Sequence, residues 1–345
     1  MSEIITHSKR ELFGIMPNGN AIYSHELKNK HGIVVKIINF GATITSLKIP
    51  LQNGDNIDVV LGFDSLEDYI KSYEIGSSPY FGATVGRYSG RINHGLFKLN
   101  NKKYQLEKNH NNHSLHGGSN GFSQKIWKVE KINNGKNPSI TLTYFSPNNE
   151  SDFPGDLNVE LTYTLSESNE LIIDYKATTS EDTIINLTNH SYFNLEGHSK
   201  TVSNQDLYIN SKTILETDDD NIPTGWNLNV RNCPFDFSTI KKCPSKIDHT
   251  FVLNKDQELA ASLYSEKNNL EMLIYTDQPS IHIYIGGACD DQLTGKENVT
   301  YCSNSGICFE TQNYPDAPNH SHFPNAILKK DGSYIQKTLY KFQIY

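Results

Sequence analysis

The chain has 345 residues, with 31 Lys and Arg against 39 Asp and Glu, and a formal net charge of −8 at pH 7. This length exceeds that of an average domain but suits one large all-β unit with a substantial core. The basic residues are scattered, which excludes a basic stripe for nucleic acid and favours a small partner with little or no charge.

No stretch approaches the roughly 18 apolar residues of a membrane span, and the first residues lack the apolar core of a signal peptide. We therefore expect a cytoplasmic protein that binds no membrane. The cysteines form an odd set without a C-x-x-C pair, which predicts free thiols and gives no zinc-ligand spacing. They are Cys233, Cys243, Cys289, Cys302 and Cys308.

In the first half of the chain, two Asn-Gly pairs predict hairpins. The pair at 53 and 54 separates strand-like residues 44–51 from 57–61, and the pair at 134 and 135 separates 127–132 from 140–145. Between them, a short helix is predicted from Ser65 to Tyr73, with Ser65 as its N-cap. Its apolar residues recur at helical spacing: Leu66, Tyr69, Ile70 and Tyr73.

In the second half, residues 157–165 alternate apolar and polar side chains, a turn follows at 166–169, and strand composition resumes at Leu171. Alternation recurs at 281–285. Many short strands with regular turn signals predict an all-β fold of large, packed antiparallel sheets, a β-sandwich with few short helices. No linker or repeat marks a second domain, so we expect a single domain over residues 1–345.

Three polar stretches contain candidate functional residues. Residues 185–198 place His190 among asparagines and aromatic rings. This composition suits a sugar-binding site, or a buried turn in which the histidine and asparagine side chains form hydrogen bonds with backbone groups. Residues 113–122 place His116 before two glycines, which permit close backbone approach to a ligand. Residues 307–320 place Glu310 after an apolar triplet, where a carboxylate is a catalytic base or an ordinary surface acid.

Taken together, these stretches resemble the aldose 1-epimerases, also called galactose mutarotases. The resemblance extends over nearly the whole chain and keeps the order of the family's sequence blocks. The blocks are residues 79–92, 115–118, 188–195, 222–225, 234–237, 247–251, 277–280 and 309–319.

The resemblance implies the β-supersandwich of mutarotases and the interconversion of α and β anomers of a free aldohexose, usually galactose or glucose. A base removes the proton of the C1 hydroxyl, an acid protonates the ring oxygen, the ring opens to the aldehyde and recloses on the other face. No redox or group transfer occurs, so no cofactor and no metal are expected. The chain is expected to be a monomer or a homodimer.

Carried over by position, Glu310 is the implied base and His190 the implied acid, with His116 as a second polarising donor beside the ring oxygen. Arg91 and Asp248 are implied to hold sugar hydroxyls. Asp248 could instead cap a turn. Arg91 could instead pair with a surface acid, and its preference over Arg87 rests on its place in the Gly-Arg-Ile segment at 90–92.

Two positions depart from the family. Many relatives carry Asn where this chain has Gly90, and a position that often holds a sugar-binding Gln is His282 here. We count His282 among the substrate-binding candidates without a catalytic role, and its alternative is a packed strand residue. Both changes leave the chemistry intact and put the hexose preference in doubt.

Three alternatives stay open. A hexose-phosphate 1-epimerase would need an Arg or Lys cluster for the phosphate, which the sequence does not reveal. A non-catalytic sugar sensor on the same fold would keep the pocket without turnover, although the acid, the base and the second histidine are all present. A metal enzyme could use His113 with His116, or His320 with His322, but lacks a convincing third ligand.

Overall fold

The computed structural model describes residues 10–76, 78–255, 257–287 and 293–345. Strands dominate these ranges. Those up to residue 105 are β1 (Arg10–Ile15), β2 (Ala21–Lys28), β3 (Val34–Ile38), β4 (Thr43–Pro50), β5 (Asn56–Asp58), β6 (Thr84–Val85), β7 (Arg91–Ile92), β8 (Leu96–Leu99) and β9 (Lys102–Gln105). Those of the middle segment are β10 (Ser114–Leu115), β11 (Lys128–Asn133), β12 (Ser139–Ser146), β13 (Leu157–Leu165), β14 (Glu170–Thr179), β15 (Thr183–Ile184), β16 (Thr188–Asn189), β17 (Tyr192–Phe193), β18 (Asp206–Ile209) and β19 (Ser211–Thr217).

The remaining strands are β20 (Pro223–Asn229), β21 (Lys241–Lys242), β22 (Ile247–Leu253), β23 (Leu259–Ser265), β24 (Leu270–Thr276), β25 (Ser280–Ile285), β26 (Leu293–Thr294), β27 (Thr300–Tyr301), β28 (Ile307–Gln312), β29 (Ile327–Leu328) and β30 (Tyr334–Ile344). The α-helix α1 spans Leu66–Ser72. Short 3-10 turns lie at Asn93–Gly95, Phe122–Gln124, Glu150–Asp152, Val202–Asn204, Lys296–Asn298 and Ala317–Asn319.

Three large antiparallel sheets organise these strands. The widest has nine strands in the order β11-β12-β13-β14-β30-β24-β23-β18-β21. A second has six strands in the order β17-β28-β25-β22-β19-β20, and β1 to β5 form a five-stranded meander. Within the described ranges, the strands of these sheets pair antiparallel, which confirms the predicted all-β sandwich of large antiparallel sheets.

The alternation of apolar and polar residues in the sequence corresponds to an alternation of buried and more exposed side chains in the structure. Along β13, each apolar residue from Leu157 to Leu165 is buried while the residues between them are more exposed. The apolar faces of all three large sheets meet in one hydrophobic core, to which Ile37 of β3, Leu161 of β13 and Ile283 of β25 belong. Full burial of such side chains is worth about 1.5–3 kcal/mol each, so this shared core is the main source of stability.

The local predictions are confirmed. The hairpins β4–β5, β11–β12 and β13–β14 form at the predicted turns. The helix α1 begins after Ser65, whose hydroxyl accepts a hydrogen bond from the backbone N–H of Asp68 at 3.1 Å. Of the helices in the described ranges, none combines the length and apolar character that a membrane crossing requires.

Candidate active site

The six-stranded sheet places a row of polar side chains on one face. Cross-strand register sets His282 of β25 opposite Glu310 of β28 on one side and opposite Thr250 of β22 on the other. Directly opposite residues of an antiparallel pair point to the same face, and so do residues two apart on one strand. Asp248 therefore joins this row next to Thr250.

The row forms one wall of a cavity of about 670 Å³. Loops that follow very short strands close the other walls. All six residues that the sequence assigned to the site line this cavity: Arg91, His116, His190, Asp248, His282 and Glu310.

Glu310 and His190 form a buried pair at the centre of the cavity. Oε1 of Glu310 lies 3.4 Å from Nε2 of His190, and the two side chains are only 2% and 6% exposed. Oε2 of Glu310 has no hydrogen-bond partner among the described residues. One carboxylate oxygen thus faces the imidazole while the other is free to meet a ligand.

Backbone contacts between distant segments hold His190 in place. Its N–H donates to the carbonyl of Ala83, and its own carbonyl accepts from the N–H of Gly82. These bonds extend the pairing of β16 with β6 by one residue. On the far side of the ring, Nδ1 lies 3.6 Å from Sγ of Cys308.

His116 stands edge-on to His190, with ring centroids 5.4 Å apart and ring planes at 89°. Its Nδ1 accepts a hydrogen bond from the backbone N–H of Gly90 at 3.2 Å. A backbone N–H can only donate, so Nδ1 must be the acceptor nitrogen of the ring. The hydrogen of a neutral His116 ring therefore lies on Nε2. The next residue, Gly117, has φ +87°, and a Cβ there would lie 2.0 Å from the carbonyl oxygen of Gly86, which explains why glycine follows this histidine.

Burial controls the charge of both histidines. It lowers the pKa of His116 well below 6.5, and the neighbouring charges of His190 and Arg91 lower it further. Burial also lowers the pKa of His190, although the carboxylate of Glu310 opposes this shift. His116 is therefore a neutral hydrogen-bond donor at pH 7.

The two candidate arginines have different environments. Arg87 is buried away from the cavity, where its guanidinium donates to the carbonyls of Pro154 and Gly155 at 2.9 Å and to Oγ of Ser146 at 2.6 Å. Arg91 lines the cavity, and its buried Nε has no partner among the described residues. No other arginine or lysine appears among the described residues of the cavity wall, so the wall shows no phosphate-binding cluster.

Asp248 and His282 bond to each other. Nε2 of His282 lies 3.0 Å from Oδ1 of Asp248, and Nδ1 lies 2.8 Å from Oγ1 of Thr250. Burial alone would raise the pKa of Asp248, but the hydrogen bond and charge of His282, helped by Arg91, lower it to about 2. Asp248 is thus a carboxylate that faces the cavity, in line with its expected place near sugar hydroxyls.

The sequence reasoning missed other polar groups of the cavity. Gln312 lies two residues beyond Glu310 on β28, and its buried Oε1 has no partner within the described ranges. The period-two pattern of a strand was enough to find it. His110 and Asn221 also line the cavity, but they lie in loops whose approach to the site no local pattern signals.

Within the described residues, one group of His, Cys, Asp and Glu side chains brings its potential ligand atoms close enough for a metal ion. These atoms, from His116, His190 and Glu310, lie within 4.8 Å of one another. The bond from Gly90 to His116 leaves the proton on Nε2 and no lone pair for a metal. His113 accepts from the N–H of His94 instead, and Nε2 of His322 lies 2.8 Å from the carbonyl of Gly225.

Comparison with known proteins identifies the family of this chain. The family model described as aldose 1-epimerase matches residues 23–341. The galactose mutarotase of Homo sapiens is 36% identical over 346 aligned residues, which cover 97% of this chain and 98% of that protein. The aldose 1-epimerase of Haemophilus influenzae is 33% identical and covers 95% of this chain and 97% of its own.

Solved structures show the same fold. The aldose epimerase homologue of C. elegans superposes with a TM-score of 0.84 at 32% identity, covering 92% of this chain and 98% of that chain. The galactose 1-epimerase of Lactobacillus acidophilus superposes with a TM-score of 0.85 at 26% identity, covering 98% of both chains.

Proposed function

The chain belongs to the aldose 1-epimerase family, and from this premise we propose that its cavity interconverts the α and β anomers of free aldohexoses with Glu310 as base and His190 as acid. The protein is an isomerase that acts on sugar anomers. The observation that carries the residue assignment is the buried contact of 3.4 Å between Nε2 of His190 and Oε1 of Glu310. Relatives named galactose mutarotase make galactose the first substrate to test.

The reaction needs one proton removed and one proton delivered. Oε2 of Glu310, unpartnered among the described residues, takes the proton of the C1 hydroxyl. Nε2 of His190 gives its proton to the ring oxygen, the bond between C1 and the ring oxygen breaks, and the free aldehyde forms. After rotation about the bond between C1 and C2, the ring closes on the other face, and the two residues return the protons in reverse.

The pair needs only one proton in total to do this. Before ring opening the proton is on His190 and Glu310 is ionised, whereas afterwards Glu310 holds a proton and His190 is neutral. The two residues therefore exchange the roles of acid and base between ring opening and ring closure. Positioned acid and base groups each contribute on the order of 10²–10⁴ in rate.

The other residues of the cavity bind and orient the sugar. The Nε2–H of neutral His116 donates toward the ring oxygen, where charge changes during opening. Arg91, Asp248 and Gln312 offer a guanidinium, a carboxylate and an amide to the hydroxyls. His282 completes this wall of the cavity as a substrate-site residue. The cytoplasmic location and the choice between monomer and homodimer stay predictions from the sequence.

Two substitutions test the assignment. We expect Glu310→Gln and His190→Asn each to lower kcat by about 10²–10⁴, because each removes one proton-transfer group and keeps the side chain close in size. Polarimetry of freshly dissolved α-galactose and α-glucose measures the rate against the uncatalysed mutarotation. His249→Gln is the matched control, because His249 packs on Phe235 and does not line the cavity. Folded variants of Glu310 or His190 with wild-type kcat would refute the roles.

A further inference from the structure

His282 connects the sugar-binding wall of the cavity to the base. Its cross-strand neighbours are Thr250 and Glu310. Its Nε2 is bonded to Oδ1 of Asp248 at 3.0 Å, and its Nδ1 to Oγ1 of Thr250 at 2.8 Å. Both ring nitrogens already have protein partners, so the ring keeps no free nitrogen for a sugar hydroxyl. His282 can therefore affect sugar binding only through the residues to which it is hydrogen-bonded.

Asp248 is the group that His282 holds most directly. Its Oδ1 is occupied by His282, whereas Oδ2 receives only a long hydrogen bond of 3.4 Å from Nδ2 of Asn221. Oδ2 is therefore the carboxylate oxygen with capacity for a sugar hydroxyl. The bond to His282 fixes the orientation in which Oδ2 is presented to the cavity.

The hydrogen bonds of His282 tolerate both of its protonation states. A carboxylate only accepts, so Nε2 carries a hydrogen whether the ring is neutral or charged. The Thr250 hydroxyl both donates and accepts, so it suits Nδ1 with or without a proton. The two states differ in strength, because the protonated ring adds an ion pair to its hydrogen bond with the Asp248 carboxylate, whereas the neutral ring makes the hydrogen bond alone.

The charges around the ring favour its protonated form. Burial lowers the pKa of His282, but the hydrogen bond to Asp248 and the negative charge of Glu310 outweigh burial and raise the pKa above 6.5. The positive charge of Arg91 only partly offsets this effect. The ionisable groups whose charges interact with that of His282 are Asp248, His249, Glu310, Arg91, His116 and His190. His249 differs from the others because it points to the face of β22 opposite to that of Asp248 and Thr250.

We propose that His282 is a positioning residue whose charged form holds Asp248 for the sugar, so that the affinity of this enzyme for free hexoses falls as the pH rises through the neutral range. The inference rests on the proposed function, because it takes Asp248 as a sugar ligand. Above the pH at which His282 loses its proton, the hydrogen bond to the Asp248 carboxylate persists, but the ion pair that strengthens it is lost. Asp248 is then held less firmly, and sugar affinity falls while the acid–base pair stays in place.

The pH dependence of KM tests the inference. We would measure KM and kcat for galactose by polarimetry from about pH 5.5 to 8.5 in the wild type, His282→Gln and His249→Gln. The wild-type KM is expected to rise about threefold or more over this range, because the ion pair between His282 and Asp248 is lost. Glutamine cannot be protonated, so His282→Gln should show a KM that stays constant with pH. His249→Gln should keep the wild-type dependence, because this neighbouring histidine does not line the cavity.

A second measurement needs no substitution. If sugar binds more tightly to the form with charged His282, binding near pH 7 takes up protons, which calorimetry in two buffers of different ionisation enthalpy detects. A wild-type KM that is flat with pH, a His282→Gln enzyme that keeps the wild-type slope, or binding without proton uptake overturns the inference. Failure of the proposed function is a separate result, seen as wild-type protein that does not accelerate mutarotation at any pH.

Discussion

At the scale of single residues, the contacts behind each ring determine what the ring can do. Gly90 fixes the hydrogen of His116 on the nitrogen that faces the cavity, so this histidine can polarise a sugar oxygen without giving up a proton. The corresponding contact of His190 is with Sγ of Cys308, at 3.6 Å from Nδ1. A thiol is a weak donor and a weak acceptor, so it supports the ring without fixing its protonation state.

Replacement of Cys308 by serine tests how much this contact matters. We expect Cys308→Ser to keep kcat within about threefold of the wild type, because the hydroxyl retains a hydrogen-bonding group beside Nδ1 and the contact is weak. Polarimetry at saturating galactose measures the change. Cys233→Ser, a half-buried free cysteine outside the cavity wall, is the control. Near-complete loss of kcat in a folded Cys308→Ser protein would show that the thiol takes part in proton transfer.

The sequence predicted residues that the structure gathers in one cavity, but not how they pair. Glu310, His190 and His116 stood out by residue type within their segments, and the structure brings all three into one cavity. The bond between His282 and Asp248 was not visible, because 34 positions separate them and only the strand register brings them together. A residue that looked like a simple replacement of a sugar-binding amide proves to bond to the neighbouring carboxylate.

At the scale of secondary structure elements, local signals and long-range pairings differ in how well they can be predicted. The Asn-Gly hairpins and α1 depend on residues close in sequence and were found. The two-residue strands β6 and β16, which place His190, pair across about a hundred positions. So short a strand has no detectable periodicity, and its pairing depends on the packing of the whole fold.

A buried ion pair joins the 3-10 turn at Lys296–Asn298 to the five-stranded sheet. Nζ of Lys296 lies 2.8 Å from Oδ2 of Asp58 and 2.7 Å from the carbonyl of Thr45, and both charged side chains are less than 10% exposed. Burial tends to raise the pKa of Asp58, but the charge and hydrogen bond of Lys296, together with the hydrogen bond from the backbone N–H of Leu47, lower it well below its usual value. Removal of one partner would leave a buried charge uncompensated.

We expect Lys296→Met to lower the free energy of unfolding by about 3–5 kcal/mol at pH 7, because it leaves the buried Asp58 carboxylate without its charged partner. Urea titration followed by circular dichroism measures this loss. The pKa of Asp58 is lower in the folded state, so its stabilisation is present above its unfolded pKa and lost as the pH falls through its folded pKa. The difference between wild type and variant should therefore shrink below about pH 4.

The surface offers a matched control. Lys71 pairs with Glu67 one turn away on α1, and both side chains are more than half exposed. Solvent screens such a pair, so Lys71→Met should not change the unfolding curve measurably. The double variant Asp58→Asn with Lys296→Met should recover part of the lost stability. Equal effects of Lys296→Met and Lys71→Met would contradict the assigned role of the buried pair.

At the scale of the whole molecule, the sequence predicted the architecture more fully than the connections between its parts. Period-two patterning revealed strands such as β13 and the antiparallel, all-β character of the fold. The pattern does not say that β30, near the C-terminus, lies between β14 and β24 in the nine-stranded sheet. That order brings distant segments together and encloses a core that all three large sheets share.

The shared core bears on the prediction that the chain is a single domain. Ile37, Leu161 and Ile283 come from three different sheets and belong to the same hydrophobic cluster, which also contains Trp127. No large sheet can lose its structure without exposing the apolar faces of the other two. We therefore expect unfolding in one cooperative transition, in which circular dichroism and Trp127 fluorescence change together.

Trp226 is 73% exposed, so Trp226→Phe should leave stability unchanged and make Trp127 the sole indole reporter. In this variant we expect the fluorescence and circular dichroism transitions in urea to coincide. Galactose at concentrations well above its Kd should shift both to higher urea by the same amount, because ligand that binds only the folded state stabilises the whole cooperative unit. Two separated transitions, with galactose shifting only one, would mean that the sheets unfold independently and that the chain contains more than one domain.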